Sequence, residues 1–304
     1  MSALNSTPRE LMQRSVRPVK YVIITPVRNE EPNMEETIRS VAAQTMPPME
    51  WVIVNDGSTD KTPEILDKFA KIYPWIRVVH LSDRGFREPG SGVIRAFNQG
   101  YKTLEAKDWE YLVKLDGDLT FAPDYFAKCF AEFQKDPKLA VGGGTICHEG
   151  AIEEHAERNP RFHVRGATKI YRRAYWDAAG GLPPVTGWDT IDEVKANMLG
   201  WTSRSFPDIE IMHHRFTGAA DGTWKNWFKN GRANYITGYH PLFMLLKCVK
   251  RLPQRPFVVQ GVALFCGFAS GYLKHVPQVD DPKLIQYVRQ QQMRRLLLQE
   301  SIWK

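Results

Sequence analysis

Short apolar runs alternate with amphipathic stretches along the first 120 residues or so of the chain. Residues 21–24, 51–54, 76–81 and 111–115 are rich in Val, Ile, Leu and aromatic side chains and bounded by polar residues, the pattern of buried strands. Between them, residues 37–42 and 63–70 carry a helical period, the second with Thr62 placed to cap it and Pro63 at its first position. Gly90 and Gly92 open a flexible turn that enters a further helix through residue 100. Strands joined by crossover helices predict a parallel sheet whose carboxyl ends share one side. Ligands of such open sheets bind in the crevice beyond those ends.

Polar loops stand at those ends. The first strand runs into Thr25-Pro26-Val27-Arg28-Asn29-Glu30, the second into Asn55-Asp56-Gly57-Ser58-Thr59-Asp60, and the run at 111–115 into Asp116-Gly117-Asp118. A common strand direction places Asp56, Asp116 and Asp118 in one crevice, where a carboxylate of the acidic triplet can hold a divalent metal. Farther on, residues 123–130 begin a helix. Residues 139–145 form a strand ending in Gly142-Gly143-Gly144, where a ligand or another backbone can approach closely. After a break at 180–184, residues 188–200 read as a helix closed by Gly200, with Asp189, Asp192 and Glu193 crowded toward its start. Acids there also suit the helix dipole.

Length and charge refine this layout. At 304 residues the chain suits one large α/β domain with an appendage. The expected division is an N-terminal arm at 1–18, the α/β domain at 19–220 and a helical extension at 221–304. The arm has no apolar core of a secretory signal, which predicts a cytoplasmic protein. Four scattered cysteines lack metal-ligand spacing and read as free thiols. The net charge of +7 lies in the tail: residues 225–304 hold 13 Lys and Arg against 3 Asp and Glu, leaving 28 against 31 before them. An acidic site-bearing half argues against nucleic-acid binding. A basic tail with apolar stretches at 240–246 and 257–273 suits an anionic membrane surface. The second stretch, 17 residues with Gly261, Gly267 and Gly271, is short of the roughly 20 that span a bilayer. It predicts an interfacial or re-entrant helix, the alternative being a core helix packed through its small residues.

In order and type, these motifs resemble the family 2 glycosyltransferases of the GT-A fold over residues 21–216. The opening loop at 25–30, the loop at 55–60, the Asp116-Gly117-Asp118 triplet, the segment Arg95-Ala96-Phe97-Asn98-Gln99-Gly100 and the pair Trp188-Asp189 followed by Gly200-Trp201 carry the resemblance. It implies a Rossmann-like, mostly parallel sheet flanked by helices and a nucleotide-sugar donor. Pro26, Val27, Glu30, Asp56 and Arg95 are then expected beside the nucleotide. Asp118 is the expected ligand of Mg2+ or Mn2+, with Asp116 bonded to the ribose or a metal-bound water. Such a metal neutralises the departing diphosphate as a Lewis acid. His213-His214 follows an apolar run, and because neighbours on a strand face opposite ways, at most one of the two reaches the metal.

The chain departs from the family in two places. The catalytic aspartate of the family's Glu-Asp pair falls on Asp189, but Trp188 precedes it where the family has Glu, so Asp192 stands as a second candidate base. The Gln-x-x-Arg-Trp sequence of processive synthases is absent, Gln292-Met293-Arg294-Arg295-Leu296 lacking the Trp, which implies one sugar per encounter. The implied reaction is inverting transfer from a UDP- or GDP-sugar to a hydroxyl of a lipid-linked or membrane-proximal glycan on the cytoplasmic face of the membrane. Alternatives are a polyprenyl-phosphate sugar synthase, a sugar nucleotidyltransferase and a non-catalytic nucleotide-sugar-binding protein.

Overall fold

The computed structural model describes residues 19–303 except 87, 89, 148–159, 161 and 215–221; the arm expected at 1–18 lies outside the described residues. Strands β1 (Tyr21–Val27), β2 (Glu50–Asp56), β3 (Ile76–Leu81) and β4 (Tyr111–Leu115) lie parallel in the order β3-β2-β1-β4. Helices α1 (Met34–Ala42), α2 (Thr62–Ile72) and α3 (Ser91–Thr103) are the crossovers. Successive strand residues feed opposite cores. Tyr21, Ile23, Trp51 and Ile53 pack under α1, α2 and α4 (Tyr125–Lys135), while Val22, Ile24, Val52 and Val54 pack under α3, α5 (Arg173–Ala179) and α6 (Trp188–Met198). Burial on both faces is why these strands read as unbroken apolar runs. Each fully buried large side chain there contributes about 1.5–3 kcal/mol. Gly100 lets α3 settle onto the sheet, since a Cβ there would lie 2.7 Å from Val54 and 2.9 Å from Ile24.

The second half of the sheet is mixed. β7 (Thr168–Arg172) runs antiparallel to β4, and β6 (Leu139–Cys147) antiparallel to β7. β8 (Thr202–His213) lies parallel to β6, and the short β5 (Leu119–Phe121) pairs antiparallel with the end of β8. Among the described residues, four of the seven pairings in this eight-stranded sheet are parallel. The glycines of β6 serve backbone approach: a Cβ on Gly144 would lie 2.4 Å from the Ile209 carbonyl oxygen, and one on Gly143 2.7 Å from that of Thr168.

Four helices follow: α7 (Gly222–Ile236), α8 (Pro241–Val249), α9 (Val259–Leu273) and α10 (Pro282–Leu296). Their core of Tyr235, Met244, Leu264, Phe268, Leu284 and Val288 closes on Ile191 and Val194 of α6, so α6 is gripped by the sheet on one side and this helical layer on the other. α7 and α9 meet through glycine: a Cβ on Gly267 would lie 1.9 Å from the Phe228 carbonyl oxygen, and one on Gly231 2.0 Å from that of Leu264. The small residues of α9 thus serve core packing, while Val262, Phe265, Tyr272 and Leu273 remain exposed on its other side. Among the described residues, no helix is long and apolar enough to cross a membrane.

Candidate active site

The antiparallel pairing of β5 with β8 sets Leu119 opposite His213 and so brings two distant segments together at the acidic triplet. His213 Nε2 stands 3.3 Å from Asp118 Oδ2, with both side chains 8% exposed. His214 donates its backbone N–H to the Asp118 carbonyl (3.0 Å) but turns its ring to Thr120 Oγ1 (2.9 Å). The alternation of a strand therefore selects His213 and directs His214 away. A carboxylate oxygen beside an imidazole nitrogen is a donor set that suits a divalent transition ion such as Mn2+ better than Mg2+, which takes oxygen donors. Among the described residues no group of three or more His, Cys, Asp and Glu converges as a metal cage. Two protein donors suit an ion whose remaining positions are filled by phosphate and water.

The nucleotide-side residues are held by one another. Asp56, at the end of β2, accepts a hydrogen bond from Arg84 at 2.6 Å, and Arg28 donates to the Asp56 carbonyl and, at 2.6 Å, to Asp83 Oδ1. Gly57 has φ +68°, and a Cβ there would lie 2.4 Å from Asp83 Cα, so glycine is required for this closure. Glu30 is buried, its N–H bonded to Thr62 Oγ1 (2.9 Å) and its carbonyl accepting from the Asn33 and Met34 amides at the start of α1. Pro26 continues β1 opposite Val54. The Val27 side chain lies in the core beneath the triplet, 2.8 Å from where a Gly117 Cβ would be, which leaves its backbone to face the crevice. Arg95 is not gathered into this group: it lies half exposed on α3 and pairs with Glu88.

Asp189 occupies the first turn of α6, half-buried against Gly166, where a Cβ would come within 3.3 Å of its own. The Gly166 carbonyl accepts from Lys114 Nζ (2.6 Å), and the same ammonium bonds Asp116. Asp116 thus bonds Lys114, Lys114 bonds the Gly166 carbonyl, and Gly166 lies close beside Asp189, which links the acidic triplet to the start of α6. Gly200, at φ +83°, ends that helix as expected: its N–H bonds the Asn197 carbonyl (3.0 Å), and the next amide, of Trp201, bonds that of Ala196 (2.9 Å).

Asp192 stands differently from its expectation as a second base. Its side chain faces inward, 2% exposed as a residue, and is consumed by Lys169 Nζ at 2.8 and 2.9 Å, the Tyr171 hydroxyl at 2.6 Å and the Glu193 amide at 2.8 Å. An acceptor hydroxyl has no approach to it. Burial pushes this carboxyl up to about 7, against the pull of Lys169. Glu193 accepts from Lys169 as well, and also from the Val164 amide (2.6 Å), and it pairs with His163 Nδ1 (3.0 Å), fastening the segment before β7 to α6. Burial works against the charged form of His163, but Glu193 outweighs it and raises the imidazole above its ordinary value.

Two residues that the motifs did not announce organise this region. Lys114 on β4 and Lys169 on β7 face each other directly across the antiparallel ladder, and both are buried. Like charges so placed repel. Here Asp116 draws one ammonium aside, Asp192 and Glu193 draw the other, and the Trp188 ring lies 5.4 and 5.5 Å from the two nitrogens. A lysine inside the otherwise apolar β4 was the visible signal for Lys114, whereas Lys169 shares β7 with Thr168 and Arg172 and had no such signal.

Comparison with known proteins accords with this geometry. Residues 22–181 match the family model described as glycosyl transferase family 2. A protein of Bacillus subtilis (strain 168) assigned as the glycosyltransferase EpsH is 33% identical over 243 residues, 71% of this chain and 67% of its own length. A poly-beta-1,6-N-acetyl-D-glucosamine synthase of Staphylococcus epidermidis is 33% identical over 240 residues, 70% of this chain and 55% of the synthase, so nearly half of that protein has no counterpart in the match. Among solved structures, the mannosyltransferase PcManGT from Pyrobaculum calidifontis, in complex with GDP-Man and Mn2+, superposes with a TM-score of 0.55 at 18% identity over 96% of this chain and 81% of its own. TarS of S. aureus in complex with UDP-GlcNAc gives 0.52 at 19% identity over 88% and 79%. With the family model covering half of its residues and the GT-A architecture shared by its structural neighbours, the chain belongs to glycosyl transferase family 2 and is a glycosyltransferase.

Proposed function

We propose that this glycosyltransferase moves a sugar from a UDP- or GDP-sugar, with inversion, to a hydroxyl of a lipid-linked or membrane-proximal glycan, one unit per encounter, in cell-surface polysaccharide synthesis. The observation that carries the reading is the pairing of Asp118 with His213 at 3.3 Å, joined through Asp116, Lys114 and Gly166 to Asp189. The relatives support it: one is a polysaccharide synthase, and structural neighbours hold GDP-Man with Mn2+ or UDP-GlcNAc.

Glu30, Asp56 and the backbone of Pro26 and Val27 line the place of the base and ribose. Asp116, steadied by Lys114, faces the ribose or a metal-bound water. Asp118 and His213 would hold Mg2+ or Mn2+, which when bound supplies Lewis-acid neutralisation of the diphosphate. Asp189 accepts the proton of the acceptor hydroxyl as that oxygen bonds to the anomeric carbon and the nucleoside diphosphate departs with the bonding pair. Lys169, through the Asp189 carbonyl, and Gly166 beneath its Cβ fix the turn that aims this carboxylate. Peripheral attachment to the cytoplasmic face of the membrane is supported by the exposed loop between α8 and α9, where Leu252, Phe257 and Val258 stand beside Lys250 and Arg255.

Asp189→Asn tests the base. The expected result is transfer lowered about 100-fold or more, with metal-dependent thermal stabilisation by the nucleotide sugar unchanged. Undiminished transfer in a variant that binds donor normally rejects Asp189 in this role.

A further inference from the structure

Lys247, in the last turn of α8, and Arg251, one turn beyond, are shielded cations with almost no oxygen acceptor among the described residues, whereas Arg172 is met by carbonyls and the Tyr111 hydroxyl and Arg232 by the Ser270 hydroxyl. Neither meets a carboxylate among the described residues. Lys247 Nζ stands 4.9 Å over the Tyr239 ring, and the Arg251 guanidinium 4.9 Å over the Trp227 ring. Arg251 Nε is closed off from solvent with no hydrogen-bond partner among the described residues, and its Nη1 reaches only the Lys247 carbonyl, at 3.4 Å. Burial, and then the Arg251 charge, push the Lys247 ammonium down to about 7. Two like charges one turn apart in a partly desolvated setting oppose each other. An acid on a neighbouring turn would relieve them, yet residues 222–279 contain eight Lys and Arg and no Asp or Glu. Beyond the aromatic rings and water, an anion from outside the chain would relieve them further.

The position of the pair says what that anion accompanies. Tyr239 packs on Trp303 (6.1 Å) and Phe243 (6.2 Å), and Trp303 packs on Phe162 (5.6 Å), in the segment that leads to Gly166. Burial raises the Tyr239 hydroxyl, the charges of Asp189 and Glu193 add to the rise, and Arg251 opposes it, so this residue stands within electrostatic reach of the candidate base and of the cations alike. On the solvent side, Leu245, Leu246 and Val249 of α8 and Val262 of α9 form an exposed apolar face. Tyr239 thus stands within electrostatic reach of Asp189 and carries Lys247 over its ring, and the exposed apolar side chains of α8 flank Lys247 along the same helix.

We propose that Lys247 and Arg251 form an anion subsite for the phosphate or diphosphate of a lipid-linked acceptor, with its glycan directed toward Asp189 and its hydrocarbon chain leaving over α8 and α9. The proposal rests on the transferase reading above and adds the acceptor class that the helical layer recognises. The shared chemistry is a phosphate ester on an apolar chain, and the committed source is the acceptor, not a bilayer phospholipid.

The test uses the full chain in EDTA, with farnesyl diphosphate and farnesol as probes and intrinsic tryptophan fluorescence as readout. Wild type is expected to bind the diphosphate about tenfold or more tightly than the alcohol, as one or two charge-assisted contacts allow. Lys247→Gln/Arg251→Gln is expected to lose that preference, and Lys247→Arg to keep it, at unchanged melting temperature. A preference equal in wild type and double variant overturns the subsite. So does a double variant that keeps the preference but loses binding to phosphatidylglycerol vesicles, because the cations then serve the bilayer. Should the double variant unfold, Lys247→Arg/Arg251→Lys keeps both charges and must retain the preference, while each single Gln variant must weaken it. Thermal stabilisation of wild type by a nucleotide sugar with Mn2+ separates the two levels. Stabilisation without any diphosphate preference defeats only the subsite, and no stabilisation by any nucleotide sugar defeats the transferase reading beneath it.

Discussion

The sheet half of the molecule and its C-terminal helical layer treat charge in opposite ways. Around the sheet, buried charge is answered within the chain: Arg84 by Asp56, Arg77 by Glu50, Lys114 by Asp116, and Lys169 by Asp192 and Glu193. In the helical layer, Lys247 and Arg251 stand against aromatic rings with no carboxylate among the described residues. Internal pairing holds a shape, because removing one partner strands the other. Cations left without an acid are available to a ligand. The contrast separates side chains that build the site from side chains that receive something in it.

The sharpest way to break this comparison is to remove one lysine from each half. Lys169→Met leaves Asp192 and Glu193 buried without their cation and is expected to cost about 3–5 kcal/mol of stability, read by urea denaturation. Lys247→Met removes a shielded charge that has no acidic partner and is expected to change stability by less than about 1 kcal/mol. Equal losses would erase the distinction. A smaller effect is expected at the exposed loop between α8 and α9, proposed above as the attachment surface. Phe257→Glu should weaken binding to phosphatidylglycerol vesicles about tenfold, since an exposed aromatic side chain and one added negative charge both count against adsorption. Unchanged sedimentation with vesicles would remove this loop from the attachment surface.

The smallest expected effect is on pH dependence. Asp192 and His163 both have raised values in the folded protein, so the folded state binds more protons than the unfolded one. Stability contributed by His163 is complete below its ordinary value and is lost as pH rises through the raised one; that of Asp192 is lost progressively up to about 7. Their combined contribution to the melting temperature should fall by about 2–4 °C between pH 5 and pH 8. Asp192→Asn should flatten the slope by scanning calorimetry, and a slope that is identical in the variant would contradict the assignment.

Much of the sheet half was legible in the sequence because its signals are local. Apolar runs, Pro63, Gly200 and the acidic triplet each declare a strand, a helix start, a helix end or a turn from a few neighbouring residues. The pairing of His213 with Asp118 was foreseen only as one of two possibilities, since the register of β5 against β8 decides it and a pairing across 95 residues leaves no local mark. The inward position of Asp192 was illegible for the same reason. Acids at the start of a helix look alike in sequence, and only the β7 face that carries Lys169 and Tyr171 shows which one turns inward. The glycines of α9 suggested either close packing or an interface; they pack closely, and the opposite side of the helix is exposed and apolar.

Trp188 carries a consequence for how this chain can change. One indole lies 5.4 and 5.5 Å from two ammonium groups that oppose each other across a strand pair, one of them tied to Asp116 and the other to Asp192 and Glu193 of α6. Replacing the ring by the glutamate that family members place before their aspartate would set a further anion among Asp116, Asp192 and Glu193 and withdraw the wedge that both lysines share. Positions 114, 169 and 188 therefore form one electrostatic unit, in which exchanging a single member is expected to cost more than exchanging them together.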